Sequence, residues 1–298
     1  MPISIRQWLP SDISGATLSG WYKSDSGLDG LSDGDAVTTW KDASNNGNDL
    51  TQSTTAAKPS LETGILALGN ASVVRFDKDA FPGDNMFNTD FGGDFEPGTG
   101  DFFLALVAKF PSSGTQFVMA KADSGTQGLN LFISGSNLIF RPQTSGGTTN
   151  NINQNNVVDT NYHIIVCRRV SSIITGNFDG VAFTTDTGSK VNDGDLNNDS
   201  NFHLGSTSSQ GLDTDMDVAE VFVGVGTLSD GDRLRIEGYL AHKYGLARTN
   251  LPSGASEHTY KGAAPIVSEV IRNYFFRNLR RKNKSKGMRM KSTIPNLN

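Results

Sequence analysis

Cysteine is nearly missing from this 298-residue chain: Cys167 is the single thiol. A lone cysteine excludes an intramolecular disulfide, and its place in the apolar strand expected at 162–168 suits a buried, inert group. Long hydrophobic runs are missing too. No stretch approaches about 18 consecutive apolar residues, so no membrane-spanning helix is expected. The opening Met1-Pro2-Ile3-Ser4 has neither a basic region nor an apolar core, and no Sec-type signal peptide is expected there. Histidine is scarce, with four scattered residues, and none pairs persuasively with Cys167 as base to nucleophile. Helix is the last scarcity: in the first 260 residues, only 229–244 carries a firm helical pattern.

What the chain does have is turn chemistry and phenylalanine. Its 33 glycines, with abundant Ser, Thr, Asn and Asp, supply turns for many short strands, and its 17 phenylalanines supply core volume. Strands are expected at 18–22, 37–41, 49–52, 65–68, 73–76, 101–110, 117–120, 129–134, 138–141, 162–169, 173–178, 181–184 and 202–204. The run 101–110 is nearly continuous apolar and reads as a central strand buried on both faces. Turns are expected at 43–48, inside a hairpin, and at Asp179-Gly180. Residues 81–100 and 144–156 read as irregular loops.

The densest signal lies at 215–246. Met216, Val218, Val221, Phe222, Val223 and Val225 make a strand. Ser229 then offers an N-cap, with Asp232 three residues on. Ile236, Tyr239, Leu240 and Tyr244 recur as one helical stripe, and Gly245 suits a left-handed stop. This run, with Leu251-Pro252, resembles the end of a concanavalin A-like, laminin-G-like jelly-roll domain. The segment Trp40-Lys-Asp-Ala-Ser-Asn-Asn-Gly-Asn-Asp-Leu-Thr-Gln52, with Lys58-Pro59 after it and 10–15 before it, is similar to the opening of the same bacterial and phage domains. The two matches bracket residues 8–262. The resemblance implies an all-β, antiparallel two-sheet sandwich with one short C-terminal-side helix. That fold hosts lectins, glycosidases and adhesion modules alike.

Three chemistries can be weighed on it. Retaining β-glucanases of this fold carry Glu-x-Asp-x-x-Glu, and the chain offers Asp215-x-Asp217-x-x-Glu220. Aspartate at 215 departs from the pattern and is a methylene shorter, so Asp217 and Glu220 are expected to be ordinary strand residues and no catalytic residue is assigned. Second, Asp193, Asp195, Asn197 and Asp199 place side-chain oxygens at every other residue, a spacing that suits Ca2+, although Asn198 and Leu204 depart from an EF-hand loop. The looser group Asp25, Asp29, Asp33 and Asp35 is an alternative. Third, sugar binding needs an exposed aromatic. Trp8, Tyr22, Trp40 and Tyr260 are available, with Trp21 and Trp40 expected in the core, and no carbohydrate-binding residue is assigned.

The last segment changes character. Residues 265–298 carry nine Lys and Arg against Glu269, a charge of +8, which leaves −13 for 1–264 out of the total of −5. Val267, Val270, Ile271, Tyr274 and Phe275 have helical spacing, so 266–281 is expected to be an amphipathic helix with Arg277, Arg280 and Arg281 on its basic side. The expected organisation is a jelly-roll domain at 1–262 and a partly helical anchoring tail at 263–298. The expected role is a non-enzymatic virion protein of a bacteriophage, a capsid decoration or tail-fibre adhesin. It would be held by its tail to other virion proteins and would display a lectin-like domain to cell-surface glycans. The alternatives are an extracellular or cell-surface bacterial lectin and a glycoside hydrolase using Asp217 and Glu220. Nucleic acid is the weaker reading of the basic tail.

Overall fold

The computed structural model describes residues 3–270, apart from 80–81, 90, 92, 123–125, 148–149, 186–188 and 208–211. The strands in chain order begin with β1 (Ile3–Gln7), β2 (Ala16–Lys23), β3 (Thr39–Trp40), β4 (Leu50–Thr51), β5 (Ser60–Ile65), β6 (Ala71–Phe76) and β7 (Met86–Asn88). Next come β8 (Phe102–Lys109), β9 (Gly114–Lys121), β10 (Gly128–Gly135), β11 (Asn137–Gln143), β12 (Ile152–Gln154) and β13 (His163–Val170). The series ends with β14 (Ile173–Phe178), β15 (Val181–Ala182), β16 (Ser189–Val191), β17 (Phe202–Leu204), β18 (Met216–Gly226) and β19 (Ile266–Val270). One helix, α1 (Asp230–Lys243), follows β18.

Residues 9–264 form one unit, a sandwich of two antiparallel sheets. One sheet has eight strands in the order β12-β11-β10-β9-β17-β7-β4-β3. The other has nine: β15-β14-β13-β8-β18-β6-β5, with β16 beside β14 and β2 beside β18. Alternation along each strand decides what lies between the sheets. Leu104, Leu106, Ile165, Cys167, Val218 and Val221 point inward from one sheet, and Leu129, Leu131, Ile133, Leu138 and Phe140 from the other. Burying such a side chain contributes roughly 1.5–3 kcal/mol. The expected all-β sandwich, the central strand near 101–110 and the buried Cys167 all stand.

α1 also follows the reading. Ser229 Oγ accepts from the Asp232 amide at 3.0 Å, and Gly245 ends the helix at φ +71°. Ile236, Tyr239, Leu240 and Tyr244 are buried. The expected turn at Asp179-Gly180 joins β14 to β15 with φ of +51° and +78°.

Four expectations need correction. Of residues 65–68 only Ile65 is strand, the end of β5; Leu66–Leu68 form a 3-10 turn, with Leu66 84% exposed and Leu68 buried, and Gly69 turns left-handed straight afterwards. The supposed loops at 81–100 and 144–156 contain the short strands β7 and β12, which extend the eight-stranded sheet. The amphipathic helix expected from 266 begins instead as β19, pairing antiparallel with β1 from Ile3↔Val270 to Gln7↔Ile266. Three of its five residues are β-branched, which favours strand once a partner supplies hydrogen bonds. β1 and β19 belong to a second small unit of the chain. Among the described residues, no helix is long and apolar enough to cross a membrane.

Candidate functional site

The carboxylates that resemble a glucanase motif lie on the outer face of the nine-stranded sheet. A bulge in β18 between Val218 and Glu220 puts Val218 and Val221 in the core and turns Asp217 and Glu220 outward together. Glu220 is 0% exposed. It accepts from Trp21 Nε1 at 2.6 Å, Lys243 Nζ at 2.7 Å, Tyr244 OH at 2.9 Å and Tyr239 OH at 3.1 Å. Burial, then the charge of Glu220, pushes both tyrosines well above their ordinary pKa. The hub therefore ties α1 and β2 to β18.

Asp217 is equally spent. It takes Arg75 Nε at 2.8 Å and Nη2 at 3.1 Å, Lys109 Nζ at 2.6 Å and Tyr162 OH at 2.8 Å. Burial alone would raise its pKa, but these hydrogen bonds outweigh burial and hold it below the usual carboxylate range. Asp215 likewise sits low: burial is outweighed by Ser112 and by the backbone and ammonium of Lys78. A glycosidase needs one carboxyl that keeps its proton near neutrality. Asp215 and Asp217 are instead both held below the ordinary carboxylate range.

Of the loop residues Asp193, Asp195, Asn197 and Asp199, Asp195 and Asn197 turn side-chain oxygens to backbone amides. Asp195 Oδ1 accepts from the Asn197 amide at 2.9 Å, and Asn197 Oδ1 accepts from the Gly98 amide at 2.5 Å. The acidic oxygens that do converge among the described residues are those of Asp77, Asp79 and Asp215, within 4.8 Å of one another. Lys78 Nζ stands 3.1 Å from Asp79 and 2.9 Å from Asp215, so an ammonium already compensates that trio. Of the tail positions, Val267 and Val270 lie in β19, while Ile271, Tyr274, Phe275, Arg277, Arg280 and Arg281 lie outside the described residues. Trp8, Tyr22 and Trp40 are buried and closed to a sugar ring; Tyr260 is half-buried.

Sequence reasoning missed the outer face of the eight-stranded sheet. Register carries one continuous cross-strand row over it: Arg141, Asn130, Ala120, His203, Phe87, Thr51 and Thr39. Beside it runs a shorter row, Asn153, Ile139, Phe132 and Phe117. Phe117 and Phe132 stack with centroids 5.0 Å apart, and the Arg141 guanidinium lies 4.4 Å from the Phe132 centroid. Arg141 Nε donates to Asn151 Oδ1 at 3.1 Å, and no described carboxylate pairs with it. Asn130 is 0% exposed, yet neither atom of its amide has a hydrogen-bond partner, and Asn153 Oδ1 is likewise unpaired. Leaving such a group unsatisfied costs ~1–3 kcal/mol, which a face serving only stability would avoid. The alternation of 129–134 was legible in sequence; the register joining seven strands was not.

No family model matches the sequence, and no curated protein matches it either. Solved structures do. The binding domain of Paraclostridial Mosquitocidal Protein 1 superposes with a TM-score of 0.56 at 12% identity, over 76% of this chain and 52% of that one. The receptor binding domain of botulinum neurotoxin D gives 0.51 at 8% identity, over 74% and 52%. The chain shares the antiparallel β-sandwich fold of these domains. An arabinofuranosidase complexed with arabinofuranosyl-alpha-1,2-xylobiose reaches 0.48 at 13% identity, over 70% and 51%. The chain spans about half the length of these structures, and at such identities the likeness is one of fold.

Proposed function

We propose that this chain is a non-enzymatic binding module whose sandwich recognises cell-surface glycans and whose C-terminal segment anchors it in a larger assembly, the outer surface of a phage virion. The observation that carries the binding role is the row from Arg141 to Thr39, in which Arg141, Phe87, Thr51 and Thr39 reach solvent as a cation, an aromatic ring and two hydroxyls along one sheet face. Sugar rings ask for that mixture: apolar backing with fixed polar partners. The non-enzymatic reading is supported by Asp217 and Glu220, each engaged by cations and tyrosines that tie the sheet together. Anchoring is supported by the split between −13 on residues 1–264 and +8 on 265–298, and the virion setting by the resemblance at 40–52 and 215–246. An extracellular bacterial lectin is the rival setting, and it shares the binding chemistry.

A glycan array tests the binding role. Wild type should give signals that Thr51→Trp loses by at least about tenfold, because Thr51 is an exposed member of the row and a large side chain there blocks it. Signals that Thr51→Trp leaves unchanged would move the site elsewhere, and a blank array would contradict the module.

A further inference from the structure

The row from Arg141 to Thr39 changes height at Phe87. This side chain is half-buried and stacks on buried His203, with ring centroids 5.2 Å apart and planes 17° apart. His203 is its cross-strand partner in β17, so the two rings stand side by side on the sheet and His203 takes one face of Phe87. On the opposite flank the partner in β4 is Thr51, which is exposed, and beyond it in β3 comes Thr39, which is half-buried. Both are short, and among the described residues no further strand pairs with β3. The sheet edge therefore carries a step: a phenyl wall rising from a floor of two threonines, open on its outer side.

The polar groups around the step have capacity to spare and no net charge. Thr51 Oγ1 lies 3.5 Å from Phe87 O, a long hydrogen bond, and among the described residues none uses the Thr39 hydroxyl. Trp40 and Leu50 pair next in the register and are buried, so Lys41 and Asp49 beyond them fall on the outer face with the threonines. Lys41 Nζ donates to Asp49 Oδ2 at 2.5 Å, and the Asp42 amide fixes Asp49 Oδ1 at 2.9 Å. Lys41 is 63% exposed and Asp49 27%, so both heads reach solvent. An aromatic face is apolar and electron-rich, and it favours a flat array of C–H bonds. An ammonium and a carboxylate already paired offer donors and acceptors side by side, which suits neighbouring hydroxyl groups. A free anion finds no unspent cation there, and the −13 carried by residues 1–264 repels it.

We infer that this step is a subsite for one neutral pyranose ring, with its C–H face on Phe87 and its hydroxyls on Thr39, Thr51 and the Lys41–Asp49 pair. The inference rests on the glycan-binding reading above and narrows it to a place on the sheet, a stacking residue and a ligand class.

The test is NMR titration of the full chain with methyl β-galactoside, methyl β-glucoside and methyl β-galacturonide. The ring C–H protons of a bound neutral glycoside should move upfield, the signature of a sugar lying over an aromatic face. The galacturonide should bind more weakly than the galactoside. F87L keeps an apolar side chain against His203 and removes the aromatic face; it should weaken the neutral glycosides at least about tenfold and abolish the upfield shift, and F87W should restore both. D49N leaves Lys41 without its carboxylate and should narrow the gap between galactoside and galacturonide. Should F87L fold poorly, T39V serves instead, since it keeps the β-branched shape, removes only the hydroxyl and should weaken the neutral glycosides about threefold. Array signals that Thr51→Trp abolishes, with F87L binding as wild type does and no upfield shift, overturn the stacking subsite and leave the glycan module standing. Galacturonide binding more tightly than the galactoside overturns the neutral selectivity. No binding by any saccharide, together with a blank array, removes both readings.

Discussion

Trp21 Nε1 donates to Glu220 Oε1 at 2.6 Å, joining residues 199 positions apart in the chain. That bond belongs to a buried hub in which one carboxylate satisfies an indole, two phenols and an ammonium. Removing the charge leaves Lys243 and two hydroxyls facing an amide that can accept less and must also donate. Glu220→Gln should therefore destabilise the sandwich by about 3–5 kcal/mol, the range for breaking a buried pair from one side. Urea unfolding measures it, and a loss under about 1 kcal/mol would mean the hub contributes little.

Stability should also depend on pH through two groups of the same sign. Burial, aided by the charges of Asp77 and Asp213, pushes the Asp84 carboxyl up to about 6. The folded state thus holds this proton more tightly than the unfolded chain, where aspartate titrates near 3.9. The contribution is complete below about pH 4 and is lost as pH rises through about 6. Burial pulls the His163 pKa down, but hydrogen bonds and charge from Asp179 and Asp159 reverse this and leave it raised. Its contribution is complete below about 6.5 and falls away as pH rises through the higher folded value. Above about pH 5, where the depressed Asp215 and Asp217 are ionised in both states, thermal melts should show stability declining towards pH 8. Asp84→Asn should flatten the lower part of that decline and raise stability at pH 7 by about 1–3 kcal/mol.

Truncation after Val270 keeps the pairing of β1 with β19 and removes the basic segment. If the proposed anchoring holds, the product should be folded, soluble and unable to attach to the proposed particle. Exposed ion pairs give only roughly 0–1 kcal/mol each, so the apolar positions must supply the grip. Replacing Ile271, Tyr274 and Phe275 with Ser should weaken attachment by at least about tenfold, measured by co-sedimentation with the assembly, whereas salt alone should weaken it less. Normal assembly of the truncated chain would relocate the anchor to the sandwich.

Local chemistry made much of this fold legible. The Ser229 cap, the stripe from Ile236 to Tyr244, the Gly245 stop and the apolar run at 101–110 each act within a few residues, and each appears where the pattern puts it. Short strands such as β7 and β12 have three residues apiece and exist because a neighbouring strand offers hydrogen bonds, which composition does not encode. The same limit applied to function. The motif-like Asp215, Asp217 and Glu220 stood out because they are close in sequence, but their partners Arg75, Lys109, Tyr162 and Trp21 come from distant strands and commit them to structure. Arg141 and Asn130 carry no local signal, since only register sets them side by side.

The central claim is recognition without hydrolysis. Incubating the full chain with a panel of β-glucans, galactans and galacturonans, and measuring bound saccharide and new reducing ends in the same samples, tests it most directly. The account predicts saturable binding with no reducing ends above the protein-free control. Reducing ends that accumulate with wild type and vanish in both Asp217→Asn and Glu220→Gln, with those variants still folded, would contradict it.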